Sequence, residues 1–359
     1  MLWKEFIQLR RDRFTLGMVV GVPAIQIALF GFAIRTEVRH LPLLVLDESR
    51  TSQSRALVQA MVNTRNFDLQ GHVTDREDVR RAIERGDAQA ALVIPPSFAT
   101  DLKRRRTATA QMIVDAADPM ASSAAIGAAA QAGAVVAGVL GSPGVVPLEV
   151  RVRPWYNPAL ESAVYIVPGV TGVLLTMTLI LINGLAIVRE RERGTLEQLV
   201  VTPISRTGLM LGKLFPFALV GYVQMTVVLL IGSLAFDVPM RGSVGLLYLM
   251  ALPFIIASLG IGLLISTLVR TQAQALQLAF LVLLPTILLS GFMFPRQAMP
   301  AAAQWIGAAF PVTYFLRILR GILLKGAGWP ALWRETLVLS VFAIVLVVLA
   351  TTRFRKSVE

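Results

Sequence analysis

Residues with chemical reach are few in this chain. There is no cysteine, which excludes a disulfide framework and thiolate metal ligation. The two histidines, His40 and His72, have no second ligand at metal spacing, so no metal site is assigned. Asp115 and Asp118 form a carboxylate pair at the end of an expected strand, where aspartate ordinarily serves as a turn residue or helix cap. Gly208-Leu209-Met210-Leu211-Gly212-Lys213-Leu214 resembles a phosphate loop only on the surface. It has one residue too few between its glycines, and Leu214 stands where a hydroxyl must reach magnesium. No catalytic residue is assigned, and the chain is not expected to hydrolyse ATP by itself. The basic run Lys103-Arg104-Arg105-Arg106 suits acidic headgroups or, more simply, a solvated helix end.

These residues sit in a chain built to cross a bilayer, whose core takes roughly 20 helical apolar residues to span. Thr15–Ile34, Ala163–Val188, Phe215–Phe236, Val244–Val269, Leu276–Phe294 and Glu335–Thr352 each qualify. Hydrophobic residues make up 55% and charged residues 16%, which gives the same reading, a polytopic α-helical membrane protein with six spans. Arg10-Arg11-Asp12-Arg13-Phe14 ahead of the first run has a twin-arginine flavour. That run is long, and Ile34-Arg35-Thr36-Glu37 offers no cleavage site, so an uncleaved anchor is expected.

Inside the spans, Asp, Glu, Lys, Arg and His are absent except for Glu335 at the very edge of the last. Ion-coupled carriers and proton pumps rely on such groups, so this pattern argues against them. The uncharged polar residues Gln26, Asn183 and Gln224, with Gln272, Gln274 and Gln277 near one helix start, either bond across helices or line a translocation path. Gly17 and Gly21 form a Gly-x-x-x-Gly pair.

Orientation follows from basic residues in short loops. With the amino terminus inside, residues 1–14, 189–213, Arg270 and 353–359 carry 13 lysines and arginines, against six in the short outer segments. Arg317, Arg320 and Lys325 fall on the outer side. Both termini are therefore expected in the cytoplasm. The long segment 35–160 holds 15 basic and 13 acidic residues, so the +12 net charge is mainly a topology signal and nucleic acid is not an expected partner.

Segment 35–160 changes character. Strands are expected at Leu43–Leu46, Phe67–Val73, Ala90–Ile94, Gln111–Val114 and Val150–Val152. They alternate with helices up to Thr64, from Thr74 with Glu77 as a capping box, over Ser97–Arg106, and over Pro119–Leu140. This implies an α/β domain inserted between spans 1 and 2, suited to docking or gating.

The sharpest polar island lies between spans 2 and 3. Arg189 to Arg193 alternate in charge, Gly194 can break the helix, and Thr195 with Gln198 can cap a short helix that Thr202-Pro203 stops. A short surface helix joined to a span by a bend is a suitable lever for an external motor. An ordinary charged loop has the same composition.

The run Glu190-Arg191-Glu192-Arg193-Gly194-Thr195-Leu196-Glu197-Gln198-Leu199-Val200-Val201-Thr202-Pro203-Ile204 resembles the signature of ABC-2 type permeases, the membrane subunits of ATP-binding-cassette exporters. Trp155-Tyr156-Asn157-Pro158, Val167-Pro168-Gly169, Leu289-Ser290-Gly291-Phe292-Met293-Phe294-Pro295 and Phe310-Pro311-Val312-Thr313-Tyr314 are similar to that family too, and the likeness is greatest to its drug-efflux branch. The resemblance implies a cytoplasmic connecting helix over 1–14, a first span over 15–34, a periplasmic domain over 35–160 and a five-helix membrane domain over 161–359. It implies a coupling segment, 189–213, in which Glu190, Glu192, Arg193, Gly194, Thr195, Glu197, Gln198, Thr202 and Pro203 dock on separate ATPase subunits that bind ATP and Mg. It further implies a second permease chain, identical or related, a bacterial inner-membrane location, and in some relatives a periplasmic adaptor protein. Met299–Phe310 would be re-entrant or interfacial, and the exported compound hydrophobic or amphipathic. A non-transporting receptor or scaffold with an outer sensor domain is the alternative from another class.

Overall fold

The computed structural model describes residues 40–140, 148–194, 206–296 and 299–353. The expected connecting helix (1–14), the first span (15–34) with Gln26, Gly17 and Gly21, and the capped helix at 195–205 lie outside the described residues.

Five strands, β1 (Leu41–Asp47), β2 (Phe67–His72), β3 (Ala90–Ile94), β4 (Ala108–Asp115) and β5 (Leu148–Trp155), form one sheet in the order β2-β1-β3-β4-β5. Only the β3–β4 pair is antiparallel. Period-2 alternation divides its apolar residues between two faces. Leu41, Leu43, Val45, Leu92 and Met112 pack against helices α1 (Ser52–Asn63), α3 (Phe98–Lys103) and α4 (Pro119–Leu140), whereas Leu46, Ala91, Val93 and Ile113 pack against Val79 and Ile83 of α2 (Arg76–Arg85).

β1, β4 and β5 run longer than the expected stretches, because ladder pairing continues through their flanking residues, whereas β2 ends at His72, one residue short of Val73. Helix α2 departs from expectation at its start: Asp75, not Thr74, is the N-cap, its carboxylate accepting from Glu77 N at 3.3 Å. Gly86 closes α2 at φ +77°, a left-handed cap that glycine adopts without steric cost.

Beyond the sheet the chain is helical: α5 (Ser162–Glu192), α6 (Arg206–Ala235), α7 (Val244–Leu268), α8 (Gln272–Leu289), α9 (Ala301–Ala308), α10 (Pro311–Lys325) and α11 (Trp329–Arg353). Among the described residues, α5, α7, α8, α11 and Leu214–Ala235 of α6 are long and apolar enough to cross a membrane, and α9 with α10 makes a pair bent by 88°. This is a polytopic membrane protein. At 31 residues, α5 is about 46 Å long and outruns a roughly 30 Å hydrocarbon core, so its charged end projects from the apolar layer.

Contacts along the chain show that the bent pair is re-entrant. Tyr165, near the start of α5, donates to Gly291 O just beyond α8 at 3.2 Å, so residue 291 lies at the sheet-side face. Lys325, at the end of α10, donates to Ile83 O of α2 at 2.9 Å, so residue 325 lies at that face too. Between them α9 and α10 enter and return. A Cβ on Gly172 would lie 2.9 Å from Leu316, which sets the start of α10 deeper along α5 than its end. Phe254 of α7 stacks on Phe315 of α10 with centroids 4.0 Å apart, seating the hairpin in the helix bundle.

Helix boundaries differ from the sequence reading at several places: α3 covers only Phe98–Lys103 of Ser97–Arg106, α5 runs on to Glu192 and α8 ends at Leu289 rather than Phe294. Gly208–Leu214 is helical, inside α6. Helix α8 starts earlier, at Gln272, because Thr271 Oγ1 accepts from Gln274 N at 3.3 Å and caps it there. Helix α11 starts at Trp329, which moves Glu335 from the edge into the helix, and Arg317 of α10 stands 3.7 Å away as its countercharge.

Candidate functional site: the charged end of α5

The polar island begins as the last turn of α5. Arg193 is the C-cap, and Gly194 takes φ +70° with its N–H donating to Arg191 O at 3.1 Å. A left-handed cap ends a helix and redirects the chain, and glycine is the residue that accepts it without strain. Glu192, Arg193 and Gly194 are exposed, and Glu190 is half-buried. Thr195, Glu197, Gln198, Thr202 and Pro203 lie outside the described residues.

Two side chains of this turn tie it to the α7–α8 connection. Arg191 Nη1 donates to Ser266 O at 3.1 Å and to Val269 O at 2.7 Å. These are carbonyls at the end of α7 that have no partner within the helix, and a cation suits the negative end of the macrodipole. Glu192 Oε1 accepts from Gln272 N at 2.8 Å, and its Oε2 accepts from Gln272 Nε2. Gln272 N is the first N–H of α8, where a carboxylate suits the positive end. A cation on one helix end and an anion on the next thus lock α5, α7 and α8 together at the face opposite the sheet.

Below this lock α5 and α7 are in backbone contact. A Cβ on Gly262 would lie 2.7 Å from Ile180 O and 3.2 Å from Gly184 N. Asn183, fully buried beside this seam, donates from Nδ2 to Leu259 O at 2.6 Å. Gly262→Leu should therefore push α5 and α7 apart and cost about 1–3 kcal/mol by overpacking, read as a lower melting temperature in detergent. An unchanged melting curve would contradict the close seam.

Gln224 of α6 bonds across to α5, with Nε2 donating to Thr178 Oγ1 at 2.9 Å. Asn183 and Gln224 both therefore join helices, and they lie in different seams. The lock itself was only half visible in the sequence. Arg191 and Glu192 both belong to the polar island, but their partners Ser266, Val269 and Gln272 lie about 75 to 80 residues further along the chain and carry no local signal of the pairing. A charged run facing a short Arg-Thr-Gln turn between two spans was the available signal.

The structure is thus a polytopic helical bundle in which α5 ends in a charged, glycine-capped projection. The chain matches the family model described as ABC-2 family transporter protein over residues 13–352. It is 31% identical to "Probable multidrug ABC transporter permease YbhR" of Escherichia coli (strain K12), covering 100% of this chain and 98% of that one. It is also 31% identical to "Probable multidrug ABC transporter permease YbhS" of the same strain, covering 90% and 87%, and 28% identical to its "Inner membrane transport permease YhhJ", covering 99% and 96%. The chain belongs to the ABC-2 transporter family.

Proposed function

We propose that this chain is the permease subunit of an ATP-driven exporter, moving a hydrophobic or amphipathic compound, drug or lipid-like, out of the cytoplasm or inner leaflet. ATP and Mg are bound by partner ATPase subunits. The observation that carries this reading is the lock between Arg191 and Glu192 and the α7–α8 turn, which gives the charged end of α5 a rigid grip on two further spans. A force applied to Glu190, Glu192, Arg193 and Gly194, and through them to the segment with Thr195, Glu197, Gln198, Thr202 and Pro203, would reach the bundle by that route.

In this proposal the protein lies in the bacterial inner membrane with both termini cytoplasmic, as its likeness to the inner membrane transport permease YhhJ and the basic-residue bias support. The sheet unit is a periplasmic insert between a first span at 15–34 and α5. A second permease chain, identical or related, completes the pathway, to which Gln26, Asn183 and Gln224 contribute. A periplasmic adaptor is a further partner, for which the sheet unit offers the surface.

The test is transport into inverted membrane vesicles holding this chain with its ATPase, using ethidium and a fluorescent phospholipid as probes. ATP-dependent accumulation of either supports the proposal. Full ATP-dependent accumulation in vesicles from cells lacking this chain would remove it.

A further inference from the structure

Between the sheet unit and the re-entrant hairpin lies a half-open recess of about 960 Å³, its mouth included. Arg296, Arg317 and Arg320 all line it. Of the carboxylates that share the recess, Asp115 is paired with Lys325 and Glu84 is bonded to Arg80 on α2, while Glu335 stands 3.7 Å from Arg317 through Oε1 and keeps Oε2 buried without a hydrogen-bond partner. Asp118 lies just ahead of α4.

Arg320 is held in place by a ring and a carbonyl, with two of its donors left over. Its guanidinium carbon sits 3.9 Å from the Tyr165 ring centroid, and Nη1 donates to Gly291 O at 3.0 Å. Its Nε and Nη2 are buried and have no hydrogen-bond partner. Those two N–H groups form one edge of the guanidinium fork, the edge whose parallel donors match two oxygens of an oxyanion. Arg296 shows the same feature: Nη2 donates to Gln304 O at 2.6 Å, while Nε is buried without a partner. Burial and the like charge of Arg317 hold Arg296 below arginine's ordinary range. Ser290 Oγ, also lining the recess, is a further buried group without a partner.

Buried, charged donors without acceptors are costly, and like charges facing one recess add repulsion. A single anion relieves both. A tetrahedral oxyanion, with more acceptor oxygens, serves several guanidinium groups better than a planar carboxylate, whose two oxygens match one fork. Arg317, 51% exposed, is open to an arriving ion. The recess borders the start of α5 and the end of α8, so it lies at the depth of the headgroup layer.

We propose that this recess binds a phosphate group, held by Arg296, Arg317 and Arg320, with a phospholipid headgroup or free phosphate as its source. The site is independent of whether the chain exports anything. The experiment uses the full chain purified in a maltoside detergent and supplied with phosphatidylglycerol or with a galactolipid of the same tails and no phosphate. Retained lipid is counted by native mass spectrometry, and thermal melts are run with inorganic phosphate against chloride at matched ionic strength.

Wild type should retain phosphatidylglycerol over the galactolipid, and Arg296→Gln/Arg317→Gln should bind it about tenfold or more weakly, since charge-assisted bonds are lost. Arg296→Gln and Arg317→Gln measured singly guard against misfolding of the double variant. Stabilisation of wild type but not of the variants by inorganic phosphate, without lipid preference, would support the site and assign free phosphate as its source. Equal retention of both lipids with no phosphate stabilisation, or unchanged phosphatidylglycerol retention in the variants, would overturn the proposal.

Discussion

Lys325→Met is expected to destabilise the protein by about 3–5 kcal/mol, the cost of leaving a buried charge without its partner. Lys325 Nζ donates to Asp115 Oδ2 at 2.5 Å and to Ile83 O at 2.9 Å, with side-chain exposures of 9% and 10% for the pair. It also lies 5.7 Å from the Tyr156 ring centroid. Asp115 Oδ1 is committed to Ala117 N at 3.1 Å, so removal of the lysine leaves Oδ2 buried without its bonded partner. In detergent this should lower Tm by about 10 °C. Lys325→Met combined with Asp115→Asn should recover much of the loss, because both charges are then gone. Equal melting of wild type and Lys325→Met would mean that the ion pair does not join the sheet unit to the hairpin.

The largest functional effect is expected at Gly194. Proline there would be held near φ −65° where the chain has φ +70°, and it lacks the N–H that bonds Arg191 O at 3.1 Å. The cap would be lost and the following segment redirected, while the spans keep their apolar content. Gly194→Pro should therefore cut ATP-driven transport in inverted vesicles about tenfold or more with normal amounts of protein in the membrane. Gly194→Asn should keep most of it, because asparagine tolerates the left-handed region. Full transport by Gly194→Pro would show that the bend at 194 transmits nothing.

Much of this architecture was legible because hydrophobic period and length are local signals. Helix α4 over Pro119–Leu140 and strand β3 over Ala90–Ile94 match the sequence reading to the residue. The break at Gly194 was legible for the same reason, since it depends on one residue's conformational freedom. What escaped was pairing across the chain. Asp115 reads correctly as a turn residue, through Ala117 N, but its second role needs Lys325, 210 residues later. Gly184 and Gly262 carry no pattern of their own, and their importance exists only where α5 meets α7. Glu335 looked terminal because composition cannot show that Arg317 on a re-entrant helix extends the tolerable depth of a carboxylate.

If the end of α5 receives force from a separate ATPase, as proposed, a pull-down of the tagged chain in mild detergent should capture that partner. Wild type should recover an ATPase subunit, and Glu190→Lys, which reverses a charge in the proposed docking segment, should lose it while remaining folded by its melting curve. A clean wild-type preparation without any ATPase, or equal recovery by the variant, would contradict the assignment.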